Sequence, residues 1–304
     1  MKKKDLVMAL LVVIVWGVNF TVIKLGLGGV PSMLLAALRY TCILPALFFV
    51  KKPNIEWRYG LAYGLSVGVG QFSCLFYAMQ IGMPAGLSSI ILQSAAFITP
   101  LLAFAFLKES VKPRQLGGLA VAGVGLYLIG RSAGNGGLLS IPVPALMFTL
   151  LAAFFWGLSN IILKFASNKS ASKGEKIDML GVVIWTSIVP PVPLFAMAFI
   201  LDTPQTVFNA LTNLNPISIF SILYLAIGAT IFGYGTWSIL LGKYPASKIA
   251  PLSLMVPVTG LISARVVLGE SLSAMQWTGG IIILIGLLFA NFDSTWFKNA
   301  KISE

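Results

Sequence analysis

The fold class this sequence predicts is an all-α membrane protein: ten transmembrane helices as two inverted five-helix repeats, with both termini cytoplasmic. Three observations lead there. Of 304 residues, 58% are hydrophobic and only 10% charged, with a mean hydropathy of +0.92, whereas a soluble domain is about 25% charged. Apolar runs of about 20 residues recur along the whole length, enough to cross a hydrocarbon core of about 30 Å. One costly pattern is also written twice, "WGVNFTVIK" at 16–24 and "WGLSNIILK" at 156–164.

The expected helices cover 6–26, 31–50, 59–79, 85–107, 114–131, 144–165, 178–200, 216–241, 246–268 and 275–292. The first holds Trp16, Asn19 and Lys24 in an otherwise apolar run. No small-x-small cleavage site follows it, which argues for a retained helix over a signal peptide. The second carries Arg39 near its middle. The third has Gly60, Gly64 and Gly68 on one ridge, a packing face, and then Gln71. The fourth holds Gln93. Pro113 suits the first position of the fifth. The sixth repeats the first with Trp156, Asn160 and Lys164, and the polar stretch 166–177 reads as a flexible cytoplasmic loop. The eighth holds Tyr234 within "GYGTW". Pro251 and Pro257 break backbone bonding in the ninth. Ser273 and Gln276 form a capping box ahead of the tenth. Gly118 and Gly125 in the fifth, like Gly279 and Gly286 in the tenth, recur at seven residues. Those faces pack within each half or form the surface of a possible homodimer.

Sidedness comes from charge. The net charge is +12. With the N-terminus inside, 17 of the 21 Lys and Arg fall on the cytoplasmic side, and only Lys24, Arg131 and Arg265 fall outside. No basic face with interleaved aromatics is present, so nucleic acid is not an expected partner. Membrane lipid and a small-molecule substrate are.

The halves match twice. Trp16-Gly17 to Lys24 aligns with Trp156-Gly157 to Lys164 at an offset of 140. "LKESVKPRQLGG" (107–118) aligns with "LGESLSAMQWTGG" (268–280) at an offset of 161, pairing Glu109 with Glu270. The first repeat covers 5–131 and the second 144–292, joined by a loop at 132–143; 293–304 is a cytoplasmic tail. Five helices per half is an odd number, so the second copy is inverted, and inverted repeats with a mid-membrane site are a mark of transporters.

Here the chain resembles a known family, the drug/metabolite transporter superfamily, in its branch with two EamA domains. Trp16-Gly17, Trp156-Gly157, Lys24, Arg39, Glu109 and "LMVPVTGLISARVVLGE" (254–270) carry the resemblance over about 5–292. One departure is Ala96, where the first repeat would match Pro257; Pro100 lies one turn later. More narrowly, "LLVVIVWGVNFTVIKLGL", "GMPAGLSSIILQ" and "APLSLMVPVTGL" resemble bacterial exporters of cysteine and O-acetylserine. The resemblance implies inner-membrane export of such amino acids.

The residues point the same way with less detail. Arg39 is the sharpest candidate: a cation in mid-span is costly, and none of the nine acidic residues lies within a span. It therefore meets backbone carbonyls, a watery cavity or an anionic substrate group. Trp16 and Trp156 sit near mid-span rather than in an interfacial belt. Trp16, Phe20 and Lys24 share one helical face, as do Trp156, Asn160 and Lys164. The candidate substrate-binding set is Arg39, Trp16, Asn19, Gln71, Gln93, Trp156, Asn160 and Tyr234. Lys24, Lys164 and Pro257 are candidates for the cavity mouth or a gate, and Glu109 and Glu270 for helix junctions.

No cofactor and no metal are expected. Histidine is absent, Cys42 and Cys74 have no metal or disulfide spacing, and no phosphate-binding G-x-x-x-x-G-K-[ST] loop occurs. Facilitated exit or exchange therefore fits better than a proton relay. An intramembrane enzyme would want paired Asp, a His-metal cluster or an activated nucleophile. A receptor or sensor has no need of an inverted repeat. Within transporters the alternatives are aromatic amino acids, drugs, sugars and other small polar solutes.

Overall fold

The computed structural model describes residues 1–132, 141–175, 177–244, 249 and 252–291. Among them every regular element is a helix: α1 (Lys3–Leu27), α2 (Ser32–Thr41), α3 (Trp57–Gln80), α4 (Ala85–Leu107), α5 (Pro113–Ser132), α6 (Val143–Ala171), α7 (Met179–Thr186), α8 (Pro191–Leu201), α9 (Pro204–Thr212), α10 (216–243), α11 (Val256–Leu268) and α12 (Ala274–Asn291). Five of these, α1, α3, α4, α6 and α10, are long and apolar enough to cross a membrane, or six if the α7–α8 pair is one span. α2, α11 and α12 are apolar but shorter.

Proline explains most departures from the expected helices. α2 stops at Thr41, and Pro45 opens a tighter 3-10 turn, Leu44–Phe48, because proline removes a backbone donor. The expected helix 178–200 is two helices bent by 43° around Pro190 and Pro191. α9 was not expected; Pro204 occupies its first turn and the Thr203 hydroxyl accepts from Thr206 N. α6 runs six residues beyond 165, so the expected loop 166–177 begins as helix. Pro257 stands at the start of α11 rather than inside it. In the first repeat, where Ala96 replaces that proline, α4 instead narrows to a 3-10 turn at Leu92–Ser94 and then carries Pro100 within a helix. The expected start of the ninth helix at 246–248, Pro251, most of the loop 132–143 and the tail 293–304 lie outside the described residues.

Contacts between helix ends set the directions. Lys24, late in α1, donates to Met79 O, late in α3, at 2.6 Å. Glu56, just before α3, pairs with Lys169, late in α6, at 2.9 Å. So α1 and α3 are parallel and α6 runs against both. Lys243, at the close of α10, reaches Asp5 at the start of α1 at 3.2 Å. Asp5, Glu56, Lys169 and Lys243 thus mark one end of the bundle, and Lys24 and Met79 the other.

Glycines let the halves touch. Gly17 of α1 crosses α11 at Thr259 and Gly260, where an added Cβ would lie 2.8 Å from Gly260 N. Gly157 of α6 crosses α4 at Ile98 and Thr99. The offset of 161 maps Ile98 and Thr99 onto Thr259 and Gly260, so each Trp-Gly helix crosses the other half's fourth helix at the same place. α5 lies on α12 in the same mutual way. A Cβ on Gly118 would sit 2.6 Å from Gly286 O, and one on Gly286 2.7 Å from Gly118 O. The seven-residue glycine faces therefore join the two halves; they are not packing within a half. The Gly64 and Gly68 ridge of α3 seats Val189 and Pro190 at the α7–α8 bend.

Candidate functional site

A cavity of about 310 Å³ lies between the two halves. Seven of the expected residues line it: Trp16, Asn19, Arg39, Gln71, Gln93, Trp156 and Tyr234. It runs toward the Asp5 end, where Met179 opens α7 and Leu241 nears the close of α10. Toward the other end its wall stops at Phe20 and Leu75, one turn short of Lys24 and Met79.

Arg39 comes from the last turn of α2 and is 2% exposed. Its Nη2 donates to Thr230 Oγ1 at 2.9 Å. Thr230 in turn donates to Leu225 O at 2.8 Å, which aims its oxygen at the guanidinium. The guanidinium lies 4.0 Å from the Phe72 ring centroid. Nε and Nη1 have no partner, and neither do Asn19 Oδ1 and Gln71 Oε1. Buried polar atoms normally find partners, so these four orphans in one wall mark a place built for something polar.

Two of the helices that supply this wall, α3 and α10, loosen locally. α3 is π-helical over Gly64–Gln71, and α10 over Tyr224–Phe232. Such stretches cluster at functional sites because they free and re-aim backbone groups. The second one presents Ala229 O to Trp16 Nε1 at 2.9 Å and Thr230 to Arg39. Gly233 clears room for the Trp16 indole, since a Cβ there would lie 3.1 Å from its Cε2. Trp16 then packs on Tyr234 at 5.4 Å and Trp237 at 5.1 Å between centroids, a tilted aromatic corner. Gln93 Nε2 reaches Ser253 O across the halves at 3.4 Å.

Six expected residues lie elsewhere. Asn160 is exposed and donates to Thr99 Oγ1 at 3.2 Å; the crossing at Gly157 turns it away from the cavity that Trp156 faces. Lys24, expected at a cavity mouth, is tied to Met79 O at the far end. Lys164 forms a 2.6 Å ion pair with Glu109. Pro257 is buried at the start of α11, outside the cavity wall. Glu270 accepts from Ala85 N at 2.7 Å and Gly86 N at 3.0 Å, capping α4 of the other half. Glu109 lies between α4 and α5, and Glu270 between α11 and α12.

Sequence reasoning passed over Phe72, Ser89, Trp237, Ser238 and Ser253, which also line the cavity. Trp237 had a signal: it follows Tyr234 by three residues within "GYGTW" and so shares its face. Apolar and serine residues in an apolar run carry no such mark.

Known proteins extend the comparison. The model of the EamA-like transporter family matches residues 3–131 and again 143–292. A "Probable amino-acid metabolite efflux pump" of Escherichia coli K12 is 41% identical, and one of Salmonella typhimurium 40%; each match covers 100% of both chains. A "Probable terminal-alkyne amino-acid exporter" of Streptantibioticus cattleyicolor is 24% identical over 96% of this chain and 95% of its own. A crystal structure at 16% identity superposes with a TM-score of 0.62 over 95% of this chain and 97% of that one, a likeness of fold alone. Two family domains across nearly the whole chain, with long apolar helices, make this a multi-pass membrane protein that belongs to the EamA-like transporter family.

Proposed function

We propose that this protein exports small amino-acid metabolites, cysteine and O-acetylserine foremost, by alternating access around the cavity between its halves. Arg39 carries the reading. It is a buried guanidinium in the cavity wall with two donors unpartnered. A substrate carboxylate would answer its charge. Asn19 Oδ1 and Gln71 Oε1 are free acceptors for an ammonium group. A volume of about 310 Å³, near the low end of ligand pockets (about 300–1,000 Å³), favours one small metabolite over a drug-sized one. The names of the two relatives at 40–41% identity support efflux of amino-acid metabolites, without naming one.

The chain crosses the inner membrane of a bacterial cell ten times with both termini cytoplasmic, α2 lengthening its span with the 3-10 turn Leu44–Phe48. The 17 to 3 split of Lys and Arg supports this sidedness. The cavity then opens to the cytoplasm. Facilitated exit or exchange drives transport.

Efflux of labelled cysteine from proteoliposomes tests the reading, with unlabelled amino acids as competitors. Arg39→Ala, still folded, should lose about 10–100-fold, the worth of one charge-assisted bond of about 1.5–3 kcal/mol. Wild-type rates in that variant would sink the proposal. The aromatic corner of Trp16, Tyr234 and Trp237 favours one other reading: if aromatic amino acids move and cysteine does not, that wall selects the substrate.

A further inference from the structure

Arg39 holds a full charge at 2% exposure, and its described surroundings are a threonine hydroxyl and aromatic faces. A buried cation without a counter-charge is costly. A substrate carboxylate supplies one only while substrate is bound.

A second recess adjoins the guanidinium. Its wall includes Arg39, Tyr40, Tyr63, Thr230 and Tyr234, and Arg39 and Tyr234 also line the main cavity, so the two spaces communicate at the charge. The recess measures about 20 Å³. A single water-sized species needs about 10–15 Å³, so there is room for one such species and not for an amino acid. No aspartate or glutamate is among its lining residues. Nε and Nη1 of Arg39 are unpartnered. Thr230 already donates to Leu225 O.

We propose that the substrate-free transporter holds one small monovalent anion, such as chloride, in this recess against Arg39, and that the substrate carboxylate displaces it. A water in the same space brings no charge. An anion accepts from the guanidinium and the neighbouring phenols and neutralises the cation. Only one negative group at a time is needed, so anion and carboxylate compete. That competition rests on the proposed amino-acid reading; the anion site itself does not.

Equilibrium binding of radiolabelled chloride to the purified full-length protein tests this, with gluconate replacing chloride at constant ionic strength. One saturable site per chain is expected, and unlabelled cysteine should lower occupancy. Arg39→Gln should abolish the site. Tyr63→Phe, which alters the recess and not the main cavity wall, should weaken it by up to about tenfold and keeps the test decisive if the arginine variant misfolds. No saturable binding, or an unchanged affinity in Tyr63→Phe, overturns the proposal. Arg39-dependent chloride binding that cysteine never displaces upholds the anion site and removes the competition and the amino-acid reading. Cysteine efflux that needs Arg39, without chloride binding, leaves that reading intact and removes the anion.

Discussion

At one end of the bundle Lys24 and Glu270 are bonded to backbone: Lys24 to Met79 O at the close of α3, and Glu270 to two amides at the start of α4. At the other end their repeat mates, Lys164 and Glu109, hold only each other among the described residues, and the two side chains are 44% and 45% exposed. The same residue pair, written twice, is a seal in one place and an exposed ion pair in the other. Charges bonded to helix-end amides and carbonyls are worth about 1.5–3 kcal/mol, an exposed ion pair about 0–1 kcal/mol. The cavity is open toward the weaker pair. A repeat that was symmetric in shape as well as in sequence would leave both ends alike. The difference leaves the Lys24 end closed, which is what the proposed alternating access requires of one of its states.

The largest effect should come from what the two ends share, the α5–α12 seam. Gly118→Val forces a side chain into the space of Gly286 O and should cost about 3 kcal/mol, read as a lower unfolding temperature in detergent. If stability is unchanged, the seam is looser than its geometry and cannot anchor both ends. Next is the seal. Glu270→Gln removes the charge at the α4 N-terminus and should raise labelling of a Ser89→Cys reporter from the Lys24 face about tenfold. The reporter protein has Cys42 and Cys74 replaced and meets a membrane-impermeant thiol reagent. Unaltered labelling would show that Glu270 does not hold that end shut. Glu109→Gln should change the same rate less than about fivefold, because the pair it breaks is solvated. An effect as large as that of Glu270→Gln would erase the contrast between the ends.

The smallest effect is in pH. The hydrogen bond from Lys169 holds the Glu56 carboxyl below its usual range, helped by Arg58. A depressed carboxyl contributes stability that is present above the unfolded value of about 4.3 and fades as pH falls through the lower folded one. Melting followed from pH 6 down to pH 3 should show wild type losing slightly more than Glu56→Gln. A steeper loss in the variant would contradict the assignment.

Much of the wall was legible because its residues break an apolar pattern. Asn19, Arg39, Gln71 and Gln93 are costly in lipid, Trp16, Trp156 and Tyr234 are aromatics away from the interfacial belt, and all seven reach the cavity. Asn160 is equally costly and does not. Its four-residue spacing from Trp156 is right for a shared face, but the close crossing at Gly157 decides which part of that face meets the cavity and which meets Thr99. Lys24 and Lys164 were indistinguishable by spacing and have opposite fates. The capping box of Ser273 and Gln276 was fully readable, with bonds of 2.9 Å and 3.2 Å, because its partners are three residues apart.

Composition, apolar periodicity and the repeat by themselves determined a helical membrane protein made of two related halves, and which few polar residues had to be explained. Those are local properties: each follows from a side chain's transfer cost or from neighbours within a turn. Tertiary structure alone decided that α5 and α12 join the halves, that proline pairs split the seventh segment, that Arg39 meets Thr230 from a helix 191 residues away, and which end is shut. Such contacts depend on how helices cross and rotate, and a one-dimensional pattern carries no term for the rotation between two helices.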